Sequence, residues 1–91
     1  MIVKFPMGRV VATPDAIDAL TKAGDSAETY LNRHVTGDWG NMPKEDAEEN
    51  EHALREGFRL FSSYTLSDGT EIWIITEADR SSTTVLLPDN Y

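Results

Sequence analysis

Apolar and polar positions recur with different periods along the chain, and the period predicts which element each segment forms. Near the N-terminus, two short β-prone segments at 2–5 and 9–12 are separated by Pro6 and Gly8. Because proline and glycine interrupt regular structure, we predict that 9–12 forms a strand and that 2–5 leads into it.

Helical spacing of apolar residues follows in three segments. Thr13 predicts a first helix over 14–23, because a threonine hydroxyl accepts a free backbone N–H and the proline after it loses no hydrogen bond. A second helix is predicted between Asp25, which resembles a capping residue, and Gly37. A third helix is predicted over 44–56, where carboxylates dominate and the apolar side is narrow.

From Phe58 onward the period changes to two, which predicts strands. Asp68 and Gly69 form a strong hairpin signal, because both central residues of a type I′ turn need positive φ. A two-residue loop at this point places Tyr64 opposite Trp73.

The predicted pairing divides the strands into two apolar faces, and a third strand at 83–87 completes the meander. The face predicted to meet the helices carries Leu60, Tyr64, Leu66, Trp73 and Ile75. The opposite face carries Phe61, Thr65, Ile72 and Ile74. This second face is too apolar to be fully solvated, so we expect the N-terminal segment, the third helix or the second subunit of a homodimer to cover it.

These elements predict an α+β fold with an N-terminal strand, two to three short helices and a C-terminal three-stranded antiparallel meander. A chain of 91 residues fits a single domain over 1–91. The residues predicted to be central to its core are Leu20, Leu31, Tyr64, Trp73, Ile75, Val85 and Leu87.

Composition narrows the function classes. Eight Lys and Arg against sixteen Asp and Glu give a formal net charge of −8, which argues against nucleic acid as a partner. The chain has no cysteine, which excludes disulfides, thiolate nucleophiles and cysteine-ligated zinc. No apolar run has the length of a signal peptide or a membrane span, so we expect a cytoplasmic protein without a membrane partner.

The first candidate for chemistry is His34, with Asp38 four residues later and Trp39 beside it. A histidine titrates near neutral pH, so it suits acid–base chemistry or binding. The alternative is structural, because a histidine in the last turn of a helix is favoured by the helix dipole. Only two histidines are present, without the close spacing of zinc ligands, so we predict neither a metal site nor a cofactor.

The second candidate is the polar segment 76–84, which contains one arginine, Arg80, among several hydroxyl groups that include Thr83 and Thr84. An arginine next to hydroxyls can bind a phosphate or a carboxylate. The alternative is a surface turn in which Arg80 pairs with neighbouring carboxylates.

The third feature is the acidic stretch 38–56, where carboxylates outnumber Lys and Arg by five. Spaced carboxylates on an exposed helix, Glu45, Glu48 and Glu49 among them, attract basic surfaces and repel phosphates. The sequence therefore predicts either a solubilising face or a binding face for a protein with a basic surface. The residues predicted for binding are His34, Asp38, Trp39, Glu45, Glu48, Glu49 and Arg80.

Segments 33–40 and 72–88 together resemble a family of small acidic bacterial proteins carried by plasmids, phages and other mobile elements. The resemblance spans nearly the whole chain. It implies no established activity and therefore no catalytic residues. With the acidic stretch, it favours a non-catalytic protein-interaction module that binds a host or element protein.

The alternative is architectural. Short helices followed by an antiparallel meander resemble the small metal-independent ribonuclease toxins of the RelE and barnase-like group. That resemblance implies His34 as base, Arg80 as phosphate ligand, and Thr83 or Thr84 as hydroxyl donor. The shortage of Lys and Arg is the main objection, because RNA affinity depends on contacts to phosphates.

Overall fold

A computed structural model describes residues 2–91 of the chain. Its elements, in order, are β1 (Arg9–Ala12), α1 (Pro14–Ala23), α2 (Ala27–Val35), α3 (Lys44–Glu56), β2 (Leu60–Thr65), β3 (Glu71–Thr76), β4 (Ser82–Leu86) and a final 3₁₀ turn at Pro88–Asn90. The predicted α+β fold is confirmed, including the strand at 9–12 and the third helix at 44–56.

One mixed sheet contains all four strands in the order β1-β4-β3-β2. β2, β3 and β4 form the predicted antiparallel meander, whereas β1 lies parallel to β4, with Arg9 beside Ser82 and Ala12 beside Val85. β1 is thus hydrogen-bonded to β4, the last strand in the sequence, although all three helices and two strands lie between them along the chain.

The predicted register of the β2–β3 hairpin is wrong by one residue. Tyr64 pairs with Ile72 and not with Trp73. The loop has three residues because only Gly69 takes a positive φ, of 92°, while the side chain of Asp68 accepts a hydrogen bond from the backbone of Thr70. A type I turn followed by a left-handed glycine is the usual three-residue hairpin loop.

The shift of one residue turns the side chains of β3 over relative to the prediction, because successive side chains point to opposite sides, while Leu60 and Tyr64 of β2 stay on the predicted core face. Ile72 and Ile74 are fully buried in the core with α1 and α2, where the prediction placed Trp73 and Ile75. Ile75 is buried as predicted, but on the opposite face of the sheet. Trp73 lies on the opposite face, half-buried against the ring of Phe61 at a centroid distance of 4.7 Å. Among the other predicted core residues, two are only partly buried: Leu31 and Leu87.

The helix ends follow local sequence signals closely. The Thr13 hydroxyl accepts a hydrogen bond from Ala16 N at 3.1 Å, and Gly24 ends α1 in the left-handed conformation. α2 is capped by Ser26, not by Asp25 as predicted. Asp25 instead accepts hydrogen bonds from the Tyr30 hydroxyl at 2.6 Å and from Ser67 N at 2.8 Å, so it ties the helices to the β2–β3 loop.

The two edges of the sheet differ. At the β2 edge, the segment 39–41 adds a short parallel bridge between Gly40 and Ser63, so most of this edge is covered. At the β1 edge, Val10 and Val11 remain 43% and 38% exposed.

Helix α3 packs on Trp39 and Leu60 through Ala47, Ala53 and Leu54, and it is also bound to the β2 edge by Asn50, which is buried like Ala53. Asn50 Nδ2 donates to Phe61 O at 2.6 Å, and Asn50 Oδ1 accepts from Phe61 N at 3.1 Å. The Asn50 side chain therefore satisfies the backbone N–H and C=O of Phe61, which a neighbouring strand would otherwise bind.

Replacing Asn50 by aspartate is expected to destabilise the protein by about 1 to 3 kcal/mol, because the carboxylate keeps one hydrogen bond and leaves Phe61 O without a donor. Urea denaturation measures the loss. The matched control is Asn32→Asp on the exposed surface of α2, which should change stability by less than about 0.5 kcal/mol. Equal losses in the two variants would contradict the role of Asn50.

Candidate functional site

His34 is completely buried and belongs to a chain of hydrogen bonds that crosses the sheet. Its Nδ1 lies 2.5 Å from Ser62 Oγ and its Nε2 lies 2.9 Å from Thr76 Oγ1. Thr76 Oγ1 is 2.7 Å from Thr83 Oγ1, and Thr83 Oγ1 donates to Met7 O at 2.8 Å. The chain therefore joins α2 to three different strands and to the N-terminal segment.

The direction of this chain fixes the histidine tautomer. Met7 O only accepts, so the single Thr83 hydroxyl proton points to it. Thr83 then accepts from Thr76, and Thr76 accepts from a protonated His34 Nε2. In the neutral ring, Nδ1 is left as an acceptor for the Ser62 hydroxyl.

The environment keeps this ring neutral. Burial, with a smaller contribution from the positive charge of Arg80, lowers the pKa of His34 from 6.5 to about 4. The rings of Phe5 and Trp39 lie edge-on to the imidazole at centroid distances of 5.2 and 5.8 Å. Ser62 is fully buried as well, so the Ser62–His34 pair has no surface on which a substrate can meet it.

Neither Asp38 nor Trp39 forms a hydrogen bond with His34, so the three residues do not make a polar site. The Asp38 carboxylate pairs with Arg33 Nε at 2.8 Å, which is the first cause that lowers the pKa of Asp38. Trp39 is 6% exposed, and its Nε1 donates to Glu51 Oε2 at 2.9 Å. The predicted fold-back of this loop is therefore a packing arrangement in which Trp39 fills the space between α3 and His34.

The side chain of Arg80 likewise holds parts of the fold together. It adopts a left-handed backbone conformation with φ of 61°, and its guanidinium donates to four backbone carbonyls. Two of these are Phe58 O at 2.6 Å and Ala53 O at 3.0 Å, so Arg80 joins the end of α3 to the start of β2. A guanidinium occupied in this way has little capacity left for a phosphate.

The four residues of the ribonuclease interpretation are only partly brought together. The Phe5 ring packs against both His34 and Arg80, with the Arg80 Cζ 5.8 Å from the ring centroid. Thr83 is buried and reaches His34 through Thr76, while Thr84 points to the other face of the sheet beside Ile75. Over residues 2–91, no cleft presents an accessible imidazole of His34 next to a free guanidinium of Arg80.

The carboxylates of α3 have a different environment. Glu45, Glu48 and Glu49 are all exposed. Among residues 2–91, the ion pairs are Arg33–Asp38 and Arg59–Glu77, so none of them involves a carboxylate of α3. The outward side of this helix is therefore a surface of negative charge without internal partners, and we call Glu45, Glu48 and Glu49 the acidic face.

A cleft of about 350 Å³ lies between α3 and β2, and it shares Glu49 with the acidic face. Its lining residues are Met42, Asp46, Glu49, Asn50, Ala53, Phe58, Arg59 and Phe61. Phe58 is 55% exposed, so the cleft has an aromatic wall that is open to solvent.

The positive charge in this cleft is already paired. Arg59 Nη1 donates to the Tyr91 hydroxyl at 3.0 Å, and Arg59 Nε lies 3.7 Å from the Glu77 carboxylate. The hydrogen bond to Tyr91 is the first cause that raises the pKa of Arg59. Asp46 and Glu49 form no ion pair among the described residues, so the uncompensated charge of the cleft is negative.

Reasoning from the sequence missed this cleft. Asp46 is one carboxylate in a long acidic run, and Phe58 and Phe61 belong to the strand pattern. The useful signal is Asn50, a polar residue at the helical spacing of Ala47 and Leu54. A buried amide on a helix needs backbone partners, and an unpaired strand edge supplies them.

Across the part of the chain that the structure describes, no group of three or more His, Asp or Glu side chains is arranged to hold a metal ion. Within 2–91, no helix has both the length and the apolar character that crossing a bilayer requires. Comparisons with protein families, with curated proteins and with solved structures found no match to this chain.

Proposed function

We propose that this chain is a non-catalytic protein-interaction module whose acidic face on α3 binds a protein with a basic surface. The observation that carries the proposal is the charge of this helix: exposed carboxylates repeat along its outward side without an ion pair among residues 2–91. Complementary charge on a partner raises the rate of association and selects among partners.

The attachment of α3 supports the same function. A helix of 13 residues that fully buries only Asn50 and Ala53 leaves most of its surface available. The carboxylates of the acidic face therefore take no part in packing the helix on the sheet and remain available to a partner. The resemblance of segments 33–40 and 72–88 to proteins of mobile elements suggests a host or element protein as the partner.

No observation favours the ribonuclease alternative in the same way. His34 and Thr83 are fully buried, and the Arg80 guanidinium is bound to backbone carbonyls. The acidic face would also repel an RNA backbone.

The test is affinity capture from a bacterial lysate with the full chain, followed by titration calorimetry with the purified captured protein. Binding should weaken steeply from about 0.1 M to about 1 M salt, because the Debye length falls from about 10 Å to about 3 Å. The variant Glu45→Gln, Glu48→Gln, Glu49→Gln should bind at least about tenfold more weakly, since it removes three charges from the acidic face.

The matched control is Asp18→Asn, Glu28→Gln, Asp89→Asn, which removes three exposed carboxylates that do not lie on α3. It changes the net charge by the same amount and should retain binding within about threefold. Equal weakening in both variants, or capture that is insensitive to salt, would contradict the proposed surface.

A further inference from the structure

We infer that the cleft between α3 and β2 receives a single arginine side chain of the protein partner. The inference rests on the proposed function and adds the chemistry of the central contact. The cleft is concave and has one wall of carboxylates and one of aromatic and apolar side chains, whereas the rest of the acidic face is an exposed helix surface.

The wall on α3 supplies the charge. Asp46 and Glu49 are three residues apart and therefore lie on the same side of the helix, facing the cleft with Asn50 and Ala53. Two neighbouring carboxylates match the planar, forked donors of a guanidinium better than the single point charge of an ammonium group.

The opposite wall supplies the apolar surface. Phe58 and Phe61 line it, Met42 adds a further apolar side chain to the cleft, and the exposed ring of Phe58 is the largest apolar group open to solvent there. Guanidinium groups stack on aromatic rings, and the aliphatic part of an arginine packs on apolar side chains. An acidic or purely apolar occupant would leave one of the two walls unsatisfied.

The resident cation does not block this site. Arg59 is held by the Tyr91 hydroxyl and by Glu77, and its Cζ lies 5.7 Å from the centre of the Tyr91 ring. Its charge is therefore balanced outside the cleft, which leaves Asp46 and Glu49 to bind an incoming cation. Interfaces concentrate their binding energy in a few such anchored side chains, and arginine is enriched among them.

The experiment is an NMR titration of the full ¹⁵N-labelled chain with three capped tripeptides of the form Gly-X-Gly, in which X is arginine, lysine or norleucine. The arginine peptide should give saturable shifts at the Asn50 side-chain amide and at the backbone amides of Ala53, Phe58 and Phe61. Norleucine keeps an apolar stem without the charge and should give none. Lysine should bind more weakly than arginine.

Two double variants separate the cleft from general charge. Asp46→Asn with Glu49→Gln removes the carboxylates of the cleft and should weaken arginine binding about tenfold, the effect of one lost charge-assisted hydrogen bond. Glu45→Gln with Glu48→Gln removes the same charge from the same helix outside the cleft and should weaken binding less than about threefold.

The outcomes distinguish this inference from the proposed function. Absence of saturable shifts, equal binding of lysine, or equal weakening by the two double variants overturns the arginine site. If Glu45→Gln with Glu48→Gln still weakens capture of the protein partner in that case, the acidic face retains its proposed function. Saturable arginine binding without any effect of the acidic-face variant on the partner would instead contradict the proposed function alone.

Discussion

Replacing Gly40 by alanine is expected to destabilise the protein by about 3 to 5 kcal/mol, because it pushes the adjacent Trp39 out of its buried position. Losing the burial of a side chain of this size costs about that much. A Cβ at position 40 would lie 2.6 Å from the Tyr64 ring and closer still to the carbonyl oxygen of Ser63. The chain must then move away from β2, which breaks the hydrogen bonds that Trp39 O and Asn41 N make with Ser63.

The matched control is Gly24→Ala. Gly24 has the same φ of 73° as Gly40, but a Cβ there meets nothing within 4 Å. This control isolates the cost of the left-handed conformation, about 1 to 2 kcal/mol, from that of the steric conflict. Urea denaturation gives both values, and the Trp39 Nε1–H resonance reports whether the hydrogen bond to Glu51 is lost. Similar losses for the two variants would show that close packing at Gly40 is unimportant.

Acidification is expected to destabilise the protein by about 3 kcal/mol between pH 6.5 and pH 4, through His34. Its pKa is about 4 in the folded state, against an ordinary value of 6.5 for an exposed ring in the unfolded chain. Between these values the unfolded chain binds one proton more than the folded chain, so the free energy of unfolding falls as the pH falls. The contribution is complete above pH 6.5 and is lost on the way down to about pH 4.

This window is separate from that of the carboxylates. Hydrogen bonds, first of all the one from Ser67, lower the pKa of Asp25, and the first cause that lowers the pKa of Asp38 is the hydrogen bond from Arg33. Their stabilising effect is present above the ordinary aspartate pKa of 3.8 and is lost below it. Denaturation curves between about pH 4.5 and pH 6.5 therefore report mainly on His34.

NMR of the imidazole rings provides a direct measurement that needs no variant at position 34. The His34 ring should stay neutral down to about pH 4, with the proton on Nε2 and an unprotonated Nδ1 that accepts from the Ser62 hydroxyl. His52→Gln removes the exposed histidine and leaves a single imidazole to assign. A midpoint near 6.5 for His34 would show that the ring is not held neutral by burial.

Local sequence determined the helices and their ends. Thr13 and the proline after it start α1, and Gly24 and Gly57 end α1 and α3 in the left-handed conformation. These signals act over one turn of chain, because a cap or a left-handed residue is specified by its own side chain and its immediate neighbours. The change from helical to alternating spacing near Phe58 likewise located the meander.

Such local signals were not enough to determine the register of the β2–β3 hairpin. Asp68 and Gly69 correctly indicated a turn, but two loop lengths are compatible with this pair. The difference depends on whether Asp68 takes a positive φ, which it does not; its side chain instead accepts a hydrogen bond from Thr70 N, two residues later. This single choice decided that Ile72, and not Trp73, enters the core.

The roles of His34 and Arg80 were decided only by the tertiary structure. His34 is separated by 28 residues from Ser62 and by 42 from Thr76, and these hydroxyls meet the ring only when the sheet has assembled. Arg80 reaches Ala53 O, 27 residues away, once α3 has docked. The sequence by itself determined which residues are capable of chemistry and which helix carries the negative charge. Tertiary packing decided which of these groups remain accessible, because burial and long-range hydrogen bonds depend on contacts that no local pattern encodes.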